Sequence, residues 1–560
     1  MAHPYFSERL LDVHDQSHEA TTQKHSRLKR ILLWTAAVFL LFVVLAVIAV
    51  EVLLHRAGPI LRARVIDTLS TRFDSSVELQ HFNVYFLNGF EVSGTGLQLY
   101  PNQIEMDKPL FAVDEFSFRT TWHDLLHSPM HVDKVSLTGM RINLPPKDQR
   151  QNIPSPHGKS GSGGSSKIKI IVNEIQIENA ALVLETNKPG KIPLDFEISH
   201  LTLHSVGAGR PMKFHATLVN PKPIGDIDSS GDFGPFDADS PGDSPVRGEY
   251  SFSHADLNTI KGIGGILSST GNYDGELNHI VVDGETDTPD FSVDSGNHPM
   301  PLHTKFHAIV DGTNGDTYLQ PVDARLQHSH ILATGDVVRA PQGGHNITLN
   351  VTVGPARVED MLTLAVKTVP PIMSGGLRLK TKFILPPGQD SVSHKLRLKG
   401  SFEVTNATFS NDKMQAKVDE LSLRSQNRAK EVKDIDKQDP DSIESQMKGQ
   451  FELDNSKLTF SSLQYNVPGA DISMNGVYTL DGDQFDFSGK ARLDAKVSQL
   501  TTGLKSLLLK PVDPFFSKDG AGTEVPIKIT GTRSEPKIGL DFHHKDKDKS
   551  DADDNHNQSK

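Results

Sequence analysis

The strongest constraint on this chain is alternation. From Val77 onward the dominant period of apolar and polar residues is two, as in SVELQHFNVYF, LFAVDEFSFRT, VRGEYSF, PLHTKFHAIV, NITLNVTV, LRLKTKFIL and HKLRLKGSFEV. Successive side chains of a strand point to opposite sides, so each run makes a strand with one apolar face. Gly, Asn, Asp and Pro fill the connections, as turns require. The chain is therefore expected to be mostly β, an antiparallel sheet with a few short helices. Those helices are expected in TWHDLLHS, ADLNTIKGIGGIL, RVEDMLTLAVK and DAKVSQLTTGLKSLLLK. In the last, Val497, Leu500, Leu504 and Leu507 form one stripe and Pro511 ends it.

A ten-residue frame recurs within the alternation: FEVSGTGLQL from Phe90, VSLTGMRINL from Val135, IQIENAALVL from Ile175, FEVTNATFSN from Phe402 and FELDNSKLTF from Phe451. Its apolar residues are Phe90, Val92, Leu97 and Leu99; Val135, Leu137, Ile142 and Leu144; Ile175, Ile177, Leu182 and Leu184; Phe402, Val404 and Phe409; Phe451, Leu453, Leu458 and Phe460. Gly94, Gly139, Asn179, Asn406 and Asn455 share the fifth position, where a residue tolerant of positive φ suits a turn. The favoured reading is a tight hairpin with residues four and five as its turn. A bulged single strand would also keep the apolar residues on one face.

What covers that face is the open question. A second sheet or a helix layer is the commonest cover. A trough filled by a ligand is the other solution, and alternation alone does not separate the two.

One segment sets the compartment. ILLWTAAVFLLFVVLAVIAV, Ile31 to Val50, carries no charge. At about 1.5 Å per residue it can cross a hydrocarbon core of roughly 30 Å. A cleaved signal peptide would have a shorter apolar core and a small-residue cleavage site. A retained transmembrane anchor over 31–54 is the better reading. Lys24, Arg27, Lys29 and Arg30 form a denser cluster than Arg56, Arg62 and Arg64, which places the N-terminus in the cytoplasm. Beyond it, Pro59 suits a first helical turn, and Leu61, Val65, Ile66, Leu69 and Phe73 follow at helical spacing. That helix either packs on the first strands or lies on the membrane.

Composition divides the rest. Residues 1–30 form a polar tail; 55–144 a first β module; 145–167 a flexible Pro/Gly/Ser linker; 168–423 a central β region. Residues 225–246 read as an acidic loop, 424–446 as a charged loop, 447–542 as a last β module and 543–560 as a charged tail. A net charge of -12 argues against a nucleic-acid partner, and the absence of cysteine excludes disulfides and thiolate metal sites.

The usual catalytic and metal patterns are missing. HGKS at 157–160 ends like a phosphate loop, but Ile153 stands where its first Gly belongs. Gly158 and Ser160 begin a nucleophile turn that Ser162 breaks. His200 and His204 lie on a strand, roughly 13 Å apart. His328 and His330 could chelate only with a third ligand, and surface histidines are the plainer reading. No catalytic residue, metal or cofactor is assigned, and a tethered hydrolase has no supporting residues.

Both ends carry a resemblance. After the anchor and the Pro-initiated helix comes FAVDEFSFRTTWHDLLHSPMHVDKVSLTGMRINLP. Near the other end stand GQFELDNSKLTFSSLQYNVPGADISMNGVYTLDGDQFDFSGKARL and VPIKITGTRSEPKIGLDF, with Pro526, Gly531 and Pro536. This succession resembles the AsmA-like family of Gram-negative inner-membrane proteins, and the likeness covers residues 31–542. The resemblance implies a taco-shaped antiparallel sheet with an apolar inside, anchored in the inner membrane and projecting into the periplasm. It further implies a non-enzymatic role in phospholipid transfer and outer-membrane biogenesis, with membrane phospholipids as partners and the frame residues as groove lining. The alternative is an envelope scaffold that carries no lipid and modulates outer-membrane protein assembly.

Overall fold

A computed structural model describes residues 59–540, except 151–169, 432–442, 497–522 and shorter stretches at 72, 86–88, 105, 122, 125–129, 147–148, 188–190, 208–209, 238–239, 342, 368, 429, 444 and 533–534; Val43 and Val44 are also described. Within these residues, 26 strands join in a single sheet. The first are β1 (Ser75–Glu78), β2 (His81–Tyr85), β3 (Phe90–Pro101), β4 (Phe111–Thr120), β5 (Met130–Thr138), β6 (Arg141–Leu144), β7 (Ile170–Leu184) and β8 (Leu194–Gly207). The middle comprises β9 (Met212–Pro221), β10 (Ile224–Phe233), β11 (Pro245–Asp256), β12 (Ile263–Gly264), β13 (Ile266–Glu276), β14 (His279–Val293), β15 (Met300–Val310), β16 (Thr317–Leu326) and β17 (Ser329–Arg339). The last are β18 (His345–Arg357), β19 (Met373–Leu385), β20 (Arg397–Phe409), β21 (Gln446–Asp454), β22 (Lys457–Val467), β23 (Ala470–Thr479), β24 (Gln484–Leu493), β25 (Thr523–Thr532) and β26 (Pro536–Leu540).

From β7 onward each long strand pairs antiparallel with its neighbour in sequence, so the sheet is one extended meander. At about 4.8 Å per strand the ladder is on the order of 120 Å long. The pairing is parallel at one junction, where β5 and β6 both lie along β7. A parallel neighbour requires the chain to return to the edge it started from. For the fifteen-residue β7, that return is about 50 Å. Residues 145–169 separate β6 from β7 in sequence.

The repeated frame is only once a hairpin. In FELDNSKLTF, Asn455 (φ 47°) and Ser456 (φ 58°) form the turn between β21 and β22. The turn sits one residue later than the sequence suggested, so Leu453 faces Leu458 and Phe451 faces Phe460. The other frames are corrected to interrupted or continuous strands: β3, the β5–β6 line, β7 and β20. Asn179 (φ 53°), Gly139 (φ 66°) and Asn406 (φ 51°) take the left-handed conformation, whereas in the first frame Gly96 (φ 64°) takes it instead of Gly94. One such residue shifts the pleat by one, which returns the next apolar residue to the same face. Register is preserved because adjoining strands shift together: β5 and β6 pair with β7 at one constant offset, on both sides of Gly139 and Asn179. Gly139 has a second constraint, since a Cβ there would lie 2.1 Å from Asp114 Oδ2.

Helices are few. Residues 59–71 are helical, as Pro59 and its apolar spacing indicated. Leu61, Val65, Ile66 and Leu69 are half-buried, and the Arg62 guanidinium donates to the Leu79 carbonyl, so this helix packs on the first strands. The expected helix in RVEDMLTLAVK forms as Val358–Ala365. ADLNTIKGIGGIL does not form one: only a 3-10 turn at Leu257–Thr259 precedes β12 and β13, and Gly262 and Gly265 adopt positive φ. A helix at Asp412–Ser425 was not anticipated, and it takes the first residues of the stretch expected to be a charged loop. The acidic stretch 225–246 is also corrected, since 225–233 belongs to strand β10 and Pro245 opens β11. Both helices close one long edge. Met361 and Leu362 pack on Val353, Leu377 and Val404, and Val418 and Leu421 pack on the cluster of Tyr465, Val467 and Leu493.

The ladder also curls. Lys261 Nζ, between β11 and β12, donates to the carbonyls of Gln389 and Asp390, between β19 and β20, at 3.0 and 3.1 Å. These connections belong to opposite long edges, and a flat sheet would hold them more than roughly 30 Å apart.

The membrane anchor expected over 31–54 lies outside the described residues apart from Val43 and Val44. No helix of the described residues is long and apolar enough to cross a membrane. The tails 1–30 and 543–560, most of TWHDLLHS and nearly all of DAKVSQLTTGLKSLLLK lie outside them as well.

Candidate functional site: an uncharged face running across the sheet

Residues directly opposed across a strand pair point to the same side. Following the register therefore traces each face through the sheet. Beginning at Val84, one row passes through Val92, Phe118, Val135, Ile175, Leu203 and Phe214. It continues through Gly231, Gly248, Tyr273, Val282, Ala308, Leu319 and Gly335. It then runs through Leu349, Phe383, Leu398, Leu453, Leu458, Tyr478, Phe485 and Gly531. No charged residue interrupts it from β2 to β25.

The neighbouring row behaves the same way. Gly94 faces Phe116, followed by Leu137, Ile177, Leu201 and Ala216. Farther along it holds Phe306, Val322, Ala333 and Val351, then Phe451, Phe460, Gly476, Phe487 and Ile529. The opposite face differs at once. One row there reads Glu91, Arg119, Lys134, Glu174, His204, Lys213, Asp232, Arg247 and Asp274, every member ionisable. Its charges pair across strands, as in Arg119–Glu91 at 3.1 Å, Lys134–Glu174 at 3.3 Å and Arg247–Asp232 at 2.8 Å.

The frame residues all fall on the uncharged face. Phe90, Leu97, Leu99, Ile142, Leu144, Leu182 and Leu184 join the residues already named there, and so do Phe402, Val404 and Phe409. Of the frame residues, Val92, Leu99, Ile177, Val404 and Leu453 are buried and every other is half-buried; none is exposed. Val404 and its neighbours Phe402 and Phe409 differ from the rest, because the helix Val358–Ala365 lies over their cluster. Gly94 leaves room for the ring of Phe116, whose Cζ would come within 2.4 Å of a Cβ there.

Sequence reading missed the central part of this face, including Leu203, Phe214, Val282, Leu319, Leu349 and Phe383. The alternation marks each of them, but only register aligns them. It also missed an aromatic stripe across the last strands. Phe402 contacts Phe451 and Phe460 at 6.2 Å between centroids, Phe460 contacts Phe487 at 5.7 Å, and Phe485 stacks on Tyr478 at 5.0 Å.

Midway the face becomes polar without becoming charged. Tyr273 and Ser229 hydroxyls meet at 2.8 Å, Tyr250 and Ser269 at 3.1 Å, and Thr286 and Thr304 at 2.6 Å. Burial pushes the Tyr250 and Tyr273 phenols above their ordinary range, against the opposing pull of Ser269 and Ser229. Both rings therefore stay neutral at physiological pH. No group of metal-ligating side chains occurs among the described residues, and His330 pairs with Asp323 at 2.8 Å. Comparisons with protein-family models, with curated proteins and with solved structures return no match.

Proposed function

We propose that the chain is a membrane-anchored, non-enzymatic lipid conduit whose uncharged face binds phospholipid acyl chains. The observation that carries this reading is the pair of rows without a charge from strand to strand. Half-buried aliphatic and aromatic residues on such a face gain by covering. An acyl chain gains about 0.8 kcal/mol per buried methylene, so on the order of ten methylenes would contribute on the order of 8 kcal/mol before entropic losses. The uncharged Ile31–Val50 segment supplies a reason for lipid to be at hand. The resemblance of both ends to AsmA-like proteins supports the same reading, with the sheet in the periplasm and the N-terminus in the cytoplasm.

The test is lipid recovery from the full-length protein purified in mild detergent and measured by mass spectrometry. The wild-type protein should retain phospholipid. Joint replacement of half-buried residues spread along the face, Leu182→Asp, Leu203→Asp, Leu319→Asp and Phe383→Asp, should reduce it severalfold while the protein stays in the membrane fraction. Undiminished lipid in that variant would sink the lining assignment. A wild-type protein free of lipid would make the chain a scaffold instead.

A further inference from the structure

The face opposite the apolar rows is not uniformly balanced. At β18 to β22 it holds a concavity of about 890 Å³. Register places Arg378 opposite Glu403 and Glu403 opposite Lys448. One level along, Lys380 lies between Thr352 and Ser401. Three cations thus line the hollow with one carboxylate, and that carboxylate is already engaged. Gln446 Nε2 donates to Glu403 at 2.6 Å, and Arg378 approaches it at 3.7 Å.

On the next levels of the same strands Arg397 pairs with Asp454 at 3.2 Å and Lys399 with Glu452 at 3.3 Å, while Lys382, opposite Lys399, extends the cationic row beyond the hollow. Lys380 and Lys448 have no such counterpart among the described residues. The floor between them carries short neutral donors, Ser401 and Ser462, in place of bulk. Like charges held near each other repel, and a multivalent anion placed among them removes that repulsion. Planar Arg and point-charge Lys together suit an oxyanion with several equivalent oxygens, and hydroxyl donors complete its coordination. The volume exceeds that of a bare phosphate.

We propose that this hollow is a binding site for a phosphoryl group carried on a larger molecule, either a phospholipid headgroup or a soluble phosphate ester. It lies on the charged face and does not depend on the apolar rows carrying lipid.

The experiment uses full-length protein in a phosphate-free, non-ionic detergent and low salt, with pyrophosphate as the calorimetric probe. Lys380→Gln and Lys448→Gln together should weaken binding about tenfold or more, since charge-assisted hydrogen bonds are lost. Lys305→Gln, on the same face outside the hollow, should leave it unchanged. Displacement of the probe by phosphatidylglycerol vesicles but not by glycerol 3-phosphate identifies a lipid headgroup; the reverse identifies a soluble ester, and both support the site. Absence of pyrophosphate binding, equal binding in the double variant, or equally strong displacement by citrate would each overturn it. Circular dichroism of the double variant should match wild type, because both lysines are on the solvent face.

Discussion

A carboxylate placed on the uncharged face should evict lipid locally without unfolding the sheet. Leu182 is half-buried on β7, opposite Ile142 and Phe196. With nothing over it, Leu182→Asp keeps its charge hydrated, and the loss of partial burial costs about 1 kcal/mol. With an acyl chain over it, the charge must be dehydrated, at several kcal/mol. That penalty offsets about four or five methylenes of chain burial and corresponds to roughly a hundredfold or more in local occupancy. A long face can hold lipid elsewhere, so the readout has to be local. A photo-crosslinking phenylalanine analogue in place of Phe196 should form a phospholipid adduct detectable by mass spectrometry. Adding Leu182→Asp should reduce that adduct to a few per cent or less, and a crosslinker at the exposed Glu197 should give none. Equal adduct yield with and without Leu182→Asp would refute the reasoning.

Ser456→Gly should stabilise the protein by about 1–2 kcal/mol in chemical denaturation, because Ser456 holds positive φ and buries an Oγ with no hydrogen-bond partner among the described residues. Gly139→Ala should lose about 2 kcal/mol or more by the same measurement, since both its φ and the Asp114 carboxylate oppose a Cβ. Burial opposes ionisation of Glu359, but hydrogen bonds from its own N–H, Arg357 and the Gly375 N–H overcome it and hold its carboxyl below the usual range. A depressed folded value means this contribution is present above the ordinary glutamate pKa and is lost as pH falls through the folded one. Hydrogen exchange in the helix Val358–Ala365, expressed relative to the intrinsic amide rate at each pH, should therefore rise on acidification in wild type. In Glu359→Gln it should be faster at neutral pH and less sensitive to acid.

Much of the strand content was legible because alternation is a local property: a residue and its second neighbour decide the face. The phase shifts were legible only in part. Asn179 and Gly139 announced a left-handed residue, but a hairpin and a bulge both satisfy that signal, and only pairing distinguishes them. The helix Asp412–Ser425 had a signal in Met414, Val418 and Leu421, with Asn411 accepting from the Met414 N–H as its cap. By sequence, 412–423 falls within the central β region, and only Arg424 and Ser425 fall in the expected charged loop. ADLNTIKGIGGIL misled in the other direction, its apolar spacing matching a helix while its glycines serve sharp turns. The breadth of the uncharged rows lay beyond single-strand reading, since Gly231, Gly248 and Gly335 count as members only when their neighbours are known.

The meander has a consequence for how the molecule is made. From β7 onward a newly delivered strand needs only its predecessor as a template, so the structure can grow at its free edge in the order of translation. The parallel junction is the exception, for β7 docks only after the intervening segment has travelled back along the strands. That step should be the slowest of the assembly, and the point at which a stalled chain is most open to proteolysis.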